Sequence, residues 1–437
     1  MRLLPLSLLL LMMMDVRPAA AADDPVLDWN AIALAAVAAD HAGPFEQPGP
    51  TRAARALAIV HAAIYDAAVA VERKQPRPVS LAAAVATAGH DTLVALYPSQ
   101  LGSFDAALVL DLAAVASETE RSAGVRVGAR AARHVLQQRK HDGSEDVEPW
   151  TSSPLPGRHR VDPLHPNQGF LDPGWGAVEP FVLGRGNQLR PPPPPALDSA
   201  EYAASFDEVK QLGGDGVTTA TERSAEQTEI GIFWGYDGTP GLGPPPRLYN
   251  QIVRAIAEQQ GNDVFENARL FLLVNLALAD AGIACWEAKY FYDFWRPVLG
   301  IREGETAADP SWTPLGAPAS NQSGTDFTPP FPAYPSGHAT FGGALFRILE
   351  RFYGTDAIAF DFVSDELNGV TTDWAGVVRP EALRSYATLS DAMWENALSR
   401  IYLGIHWSFD ATEGVALGEA VADEVFERAL TQRGRRR

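Results

Sequence analysis

Three short segments hold residues whose types and spacing suit the grip of a tetrahedral oxyanion. They are Lys289-Tyr-Phe-Tyr-Asp-Phe-Trp-Arg296-Pro297, Pro335-Ser336-Gly337-His338 and Ser399-Arg400-Ile-Tyr-Leu-Gly404-Ile-His406-Trp407. Lys289 and Arg296 stand seven positions apart. On a helix that is roughly 700°, so both project from nearly one face about 10 Å apart along the axis and can converge on one anion. Pro297 favours an extended Arg296 and predicts a helix end near it. In the second segment Ser336 reads as an N-cap before the apolar run that begins at Ala339. The N–H groups of Gly337 and His338 then face outward at the positive end of a helix, where anions bind. Glycine lets a ligand approach there, and His338 can give or take its proton. In the third segment Arg400 and His406 are six residues apart, about 240° on an unbroken helix, which would aim them away from each other. A chain break at Gly404 is therefore required if both are to meet one ligand. Asp410, four residues past His406, can orient the imidazole if that stretch is helical.

Each segment alone has a plainer reading: a pair of snorkelling surface cations, a capped turn, a core histidine beside a packing glycine. Together they must explain three cations, a helix start and two histidines in one half of the chain. That is harder.

The elements that must carry these residues read as helices, and the expected fold class is all-α. Leu27 to Ala42, Thr51 to Val71, Leu81 to Leu96, Phe104 to Ala116 and Ser122 to Gln138 repeat apolar residues at three- and four-residue spacing. They make an N-terminal helical bundle over residues 23–140. Residues 141–200 are rich in Pro, Gly and polar residues, ending in the run Pro191 to Pro195, and read as an ordered connecting loop. A second helical set over 201–430 follows: Glu201 to Leu212, Ala220 to Trp234, Arg247 to Gln260, Val264 to about Phe294, Ser336 to Tyr353, Pro380 to Leu403 and His406 to Leu430. Little alternates with period two, so no major sheet is expected. Residues 431–437 read as a solvated basic tail.

The hydrophobic share of 46% and charged share of 20% supply a sizeable core. A formal net charge of −19 argues against nucleic acid or an anionic membrane as the main partner. It also means that an anionic ligand needs a local cluster of cations. Arg2, the apolar run Leu3 to Met14 and the small residues Ala20 to Ala22 read as an export signal over 1–22. That run is too short to span a membrane. The other apolar stretch, Leu270 to Trp286, is broken by Asn275 and Asp280 and reads as a buried core helix without a membrane span. Cys285 is the single cysteine, so no intramolecular disulfide can form.

The three segments resemble the signature of the vanadium-dependent haloperoxidase and type 2 phosphatidic acid phosphatase superfamily: Lys-x6-Arg-Pro, Pro-Ser-Gly-His and Ser-Arg-x5-His, all present and in order. The likeness extends towards the chloroperoxidase branch in Asp280-Ala-Gly-Ile-Ala-Cys-Trp286, in Pro329-Pro-Phe331-Pro-Ala-Tyr-Pro-Ser-Gly-His and in Ile401-Tyr-Leu-Gly-Ile-His-Trp407. It is recognisable over most of residues 25–72 and 230–425, and residues 140–200 match nothing. The resemblance implies two four-helix bundles. It makes His406 the apical vanadium ligand, or the phosphorylated nucleophile of an exported acid phosphatase. Lys289, Arg296, Ser336, the Gly337 N–H and Arg400 would bind the equatorial oxygens, and His338 would be the acid–base. Hydrogen peroxide and halide would be the substrates in the first case, with Lys289 polarising the peroxide, and a small phosphate ester in the second. Trp286 and Phe331 fall where the chloroperoxidase branch places its halide pocket; bromide-preferring relatives commonly carry histidine at the position of Phe331. Asp237, in Gly235-Tyr-Asp-Gly238, would pair with Arg400. Vanadate and phosphate are similar oxyanions, and a pocket preorganised for one serves the other.

Overall fold

The computed structural model describes residues 24–73, 78–304 and 307–435, except the side chains of 432–435. The export signal read over residues 1–22 lies outside the described residues.

Five helices form the N-terminal group: α1 (Pro25–Asp40), α2 (Gly49–Glu72), α3 (Leu81–Leu96), α4 (Leu101–Ala114) and α5 (Glu118–Gln138). α1, α2, α3 and α5 pack on one another, and α4 lies against α3. The second set comprises α6 (Ala200–Leu212), α7 (Ala225–Phe233), α8 (Pro245–Gln260), α9 (Val264–Tyr292), α10 (Pro297–Glu303), α11 (Gly337–Tyr353), α12 (Leu389–Tyr402) and α13 (Ser408–Arg435). α9, α11, α12 and α13 form its bundle. α2 packs along α9, and one hydrophobic core runs through both groups. By length and apolar composition α2 and α9 could each cross a membrane; in this fold both are core helices, mostly buried by protein. α9 begins at a capping box in which Asp263 accepts from the Glu266 N–H and Glu266 returns a bond to the Asp263 N–H.

Residues 141–199 contain only two short 3₁₀ turns, yet they are fastened down. Buried Asp280 of α9 accepts the N–H groups of Phe181, Val182 and Leu183, and Leu171 O accepts from Tyr290 Oη and Trp286 Nε1. The segment is a strap across the middle of α9.

Several helix boundaries differ from the sequence reading. α9 stops at Tyr292, where Asp293 turns left-handed (φ 55°), so Arg296 is not on the same helix as Lys289. Arg296 is extended, and Pro297 opens a short helix, α10, that periodicity missed. The stretch from Pro380 is not helical at first: Leu383–Tyr386 pair antiparallel with Phe360–Val363, and α12 starts only at the Thr388–Asp391 capping box. α7 likewise waits for its capping box at Ser224 and Gln227. The expected basic tail is helical backbone to Arg435, a continuation of α13.

Candidate active site

Gly337 and His338 of the second motif and Arg400 and His406 of the third line a cavity of about 620 Å³, walled also by Pro48, Trp286, Phe327, Phe331 and Phe341 among others. The first motif lies behind that lining, with Arg296 Nη1 on His406 and Lys289 beside the Phe331 ring. Five elements supply the residues of the three motifs: the end of α9 (Lys289), the α9–α10 junction (Arg296), the start of α11 (Ser336 to His338), the end of α12 (Arg400) and the α12–α13 turn (His406).

The turn meets the condition set by the spacing. α12 ends at Tyr402, Gly404 is left-handed at φ 70°, and α13 begins at Ser408. A Cβ at Gly404 would also lie 2.4 Å from Gly213 O, so the position requires glycine twice over. His406 is thereby turned back towards Arg400, and both line the cavity.

His406 is buried. Its Nδ1 bonds Asp410 Oδ2 at 2.9 Å, and the same carboxylate oxygen accepts the Trp407 N–H. A carboxylate at Nδ1 fixes the proton there and leaves Nε2 as the unprotonated atom, which accepts a hydrogen bond from Arg296 Nη1 at 2.9 Å. Burial, reinforced by Arg296, Lys289 and Arg400, holds the imidazole well below its ordinary pKa, hence neutral. Burial pushes the Asp410 carboxyl up to about 7.

The guanidinium of Arg296 is fully buried. Nε donates to Phe331 O and Nη1 to Ile405 O, but buried Nη2 has no partner. Burial pushes this group down to about 9. Arg400 gives Nη2 to both oxygens of Asp237 at 2.7 and 2.9 Å, while Nε and Nη1 are buried without partners. Burial raises the Asp237 carboxyl against the pull of Arg400. Lys289 Nζ is also fully buried, and it donates to the carbonyls of Pro332, Ala333 and Pro335. Those acceptors saturate an ammonium, yet burial lowers the group to about 7.

Ser336 caps α11 by accepting the Ala339 N–H. Gly337 and His338 occupy the first turn, whose N–H groups have no partner within the helix. His338 Nε2 donates to Gly235 O at 2.8 Å, and burial, then Arg400, keeps the ring neutral. Trp286 and Phe331 face each other with centroids 4.8 Å apart. The Phe331 ring lies between Lys289 Nζ, 5.1 Å from its centroid, and Arg296 Cζ, 4.9 Å away.

Three guanidinium nitrogens left unpartnered in a buried space are costly. Among the described residues, Asp237 is the only carboxylate hydrogen-bonded to Lys289, Arg296 or Arg400; Asp410 bonds neutral His406 instead. A tetrahedral oxyanion supplies both the missing acceptors and the missing negative charge, so the residues fit vanadate or phosphate. Sequence reasoning missed the groups that hold the site from behind: Gly235 O, the carbonyls that receive Lys289, and Tyr249 and Asn396, which both donate to His338 O. None has a sequence signal, because each is a single polar group paired across 40 residues or more.

Residues 269–434 match the family model described as the VCPO second helical-bundle domain. The chain is 39% identical over 316 residues to the vanadium chloroperoxidase of Curvularia inaequalis, covering 59% of this chain and 52% of that protein. It is 32% identical over 107 residues to a vanadium-dependent bromoperoxidase of Ascophyllum nodosum, covering 24% and 18%. The chain thus spans about half the length, or less, of these curated relatives. Among solved structures, a bacterial vanadium-dependent iodoperoxidase superposes with a TM-score of 0.75 at 23% identity over 92% of this chain and 96% of that one. A holo-type bacterial vanadium-dependent chloroperoxidase gives 0.66 at 17% identity over 91% and 97%. The all-α fold is therefore that of these structures, and the resemblance carried by the three motifs is borne out.

Proposed function

We propose that the chain is a vanadate-dependent haloperoxidase, oxidising halide with hydrogen peroxide to hypohalous acid. The observation that carries this reading is the set of buried, unpartnered donors on Arg296 and Arg400 beside the unprotonated Nε2 of His406, whose partner in the free protein is Arg296 Nη1. The names of the relatives favour vanadate over a phosphate ester as the occupant.

Arg296, Arg400, Ser336 and the Gly337 N–H would hold the oxyanion. Lys289 would help neutralise its charge, giving up one of its three carbonyl acceptors if it bonds the anion directly. His406 Nε2 would be the ligand to vanadium, releasing Arg296 Nη1. Bound vanadate supplies a Lewis-acid centre that activates peroxide towards two-electron attack by halide. Asp410 keeps His406 in the one tautomer that can ligate. His338 spends its Nε2–H on Gly235 O, so Nδ1 is the atom left to take and return the proton of incoming peroxide. Burial keeps that nitrogen unprotonated, and a neighbouring anion raises its basicity. Trp286 and Phe331 would give halide a weakly hydrated berth whose edge is polarised by Lys289 and Arg296. Export of the mature chain belongs to the same proposal; it rests on Arg2, the apolar run after it and Ala20 to Ala22.

The test assays purified protein with and without orthovanadate, on peroxide plus halide and, separately, on a chromogenic phosphate ester. Vanadate-dependent halide oxidation, abolished by His406→Ala, is expected. Ester hydrolysis that vanadate inhibits, with no halide oxidation, would overturn the reading in favour of an acid phosphatase.

A further inference from the structure

The segment Gly235-Tyr236-Asp237 touches the site at both ends. Gly235 O receives the His338 Nε2–H, and the Asp237 carboxylate receives Arg400 Nη2. Between them Tyr236 sits at φ 52°, a left-handed conformation that costs a non-glycine residue about 1–2 kcal/mol. Something must hold it.

The residues that do so come from 130 positions further along. Glu366 is fully buried, and its Oε1 accepts the Tyr236 N–H at 2.9 Å. Its other oxygen accepts from Ser320 Oγ and from Arg379 Nη1, both at 2.5 Å or longer, and Arg379 also donates to Ser320 Oγ. The approach is so close that a Cβ at residue 235 would lie 2.5 Å from Glu366 Oε1, which is why glycine stands there. The neighbours of Glu366 grip the same segment. Ser364 Oγ donates to Phe233 O, and the Asp365 N–H donates to the Tyr236 hydroxyl. Asp365 is tied in turn to Arg247 and Gln251 of α8.

We propose that Glu366, charge-balanced by Arg379, is a positioning residue of the active site: it clamps Tyr236 and so sets Gly235 O against His338 and Asp237 against Arg400. It touches no ligand and takes no part in the reaction. Two of the three grips fall on Tyr236, in the loop between α7 and α8, and the third on Phe233 at the end of α7. Both side chains are buried in the core, so the clamp fixes the backbone that joins that core to the site. Removing the carboxylate frees the Tyr236 N–H, leaves Arg379 buried without its partner and lets the left-handed residue relax. His338 then loses its fixed acceptor and Arg400 its fixed counter-charge together.

This inference rests on the site being an oxyanion site, and its test is independent of halide chemistry. Orthovanadate affinity of the apoprotein is measured by calorimetry, and the His338 ring resonances are followed by NMR, in Glu366→Ala, Glu366→Gln and Arg379→Met. Asn275→Ala serves as control; it damages a buried amide network of α8 and α9 away from the site. Glu366→Ala and Arg379→Met should weaken vanadate binding by roughly tenfold or more, as loss of an outer support does at metal sites, and should move the His338 signals. Glu366→Gln, which still accepts the Tyr236 N–H, should recover most of the affinity. The control should lower Tm without changing affinity or spectrum. Wild-type affinity and His338 signals in both charge-removing variants would overturn the proposal, as would an equal affinity loss in the control. If Glu366→Ala does not fold, Arg379→Met decides alone: weakened vanadate binding with moved His338 signals supports the clamp, and wild-type affinity and signals overturn it. Vanadate binding without halide oxidation by the wild type would count against the proposed activity and leave the clamp standing.

Discussion

Two buried arginine clusters, one in each half of the molecule, are built from the same parts and finished differently. Near the N-terminal bundle, Arg55 and Arg139 share Asp142: both Nε atoms donate to Oδ2, and Arg55 Nη2 adds Oδ1 and the Arg139 carbonyl. Arg139 sends its remaining nitrogens to Pro180 O and Glu179 O. Among the described residues, no buried donor of that cluster lacks a partner. In the C-terminal half, Arg296 and Arg400 share space with Asp237, yet three of their nitrogens are buried and unpartnered. The first cluster is closed and fastens the 141–199 strap to α2. The second is open, and its missing partner has the shape and charge of an oxyanion. Burial and charge alone would not tell a structural cluster from a binding site; hydrogen-bond completion does.

The largest expected effect is a crossover between the two clusters. Arg296→Met should weaken orthovanadate binding by about 2–5 kcal/mol, roughly thirty- to several-thousand-fold. It should leave the thermal stability of the apoprotein unchanged or raised, because an under-satisfied buried cation is replaced by an apolar side chain. Arg55→Met should do the opposite. It should cost about 3 kcal/mol of stability, the low end for a broken buried pair because Arg139 still holds Asp142, and leave vanadate affinity intact. Paired thermal melts and binding titrations on the two variants measure this. Parallel behaviour of the two would erase the distinction between open and closed.

A smaller effect sharpens the geometry. Gly404→Ala places a non-glycine residue at φ 70° and a Cβ against Gly213 O. The left-handed conformation alone costs about 1–2 kcal/mol, so Tm should fall. The angle between Arg400 and His406 should also change, lowering vanadate affinity and activity together. Lost stability with undiminished affinity would show that the turn supports the fold only.

The smallest effect is in protons. Burial lowers Lys289 from 10.5 to about 7 in the free protein. Over that window the unfolded chain binds the extra proton, so this group makes apoprotein stability rise as pH rises from about 7 to 10.5. An anion in the pocket favours the ammonium. At pH 8 binding should therefore take up as much as about one proton more in wild type than in Lys289→Met, read from binding enthalpies in buffers of different ionisation enthalpy. Equal uptake would mean that Lys289 does not sense the anion.

Much of this was legible in the sequence because it is local. Helix periodicity located twelve of the thirteen α-helices among the described residues, and the Gly404 break followed from angular spacing around one axis. The expected juxtaposition of Lys289 and Arg296 came out right for the wrong reason. They do not share a helix face; Asp293 ends α9 and an extended Arg296 folds back over Phe331. The strand Leu383–Tyr386 was invisible because its partner lies about 20 residues earlier and its apolar alternation is short. The supports of the site were equally invisible: Glu366 reaches Tyr236 across 130 residues, and Asp280 reaches the strap across about 100. Such pairings depend on how helices pack, which composition and spacing do not encode.

A crystal structure of the protein with orthovanadate tests the central claim most directly. One vanadium should be bonded to His406 Nε2, with its oxygens accepting from Arg296 Nη2 and from Arg400 Nε and Nη1. Vanadium bound elsewhere, or those three nitrogens still unpartnered in a vanadate-saturated crystal, would contradict the account.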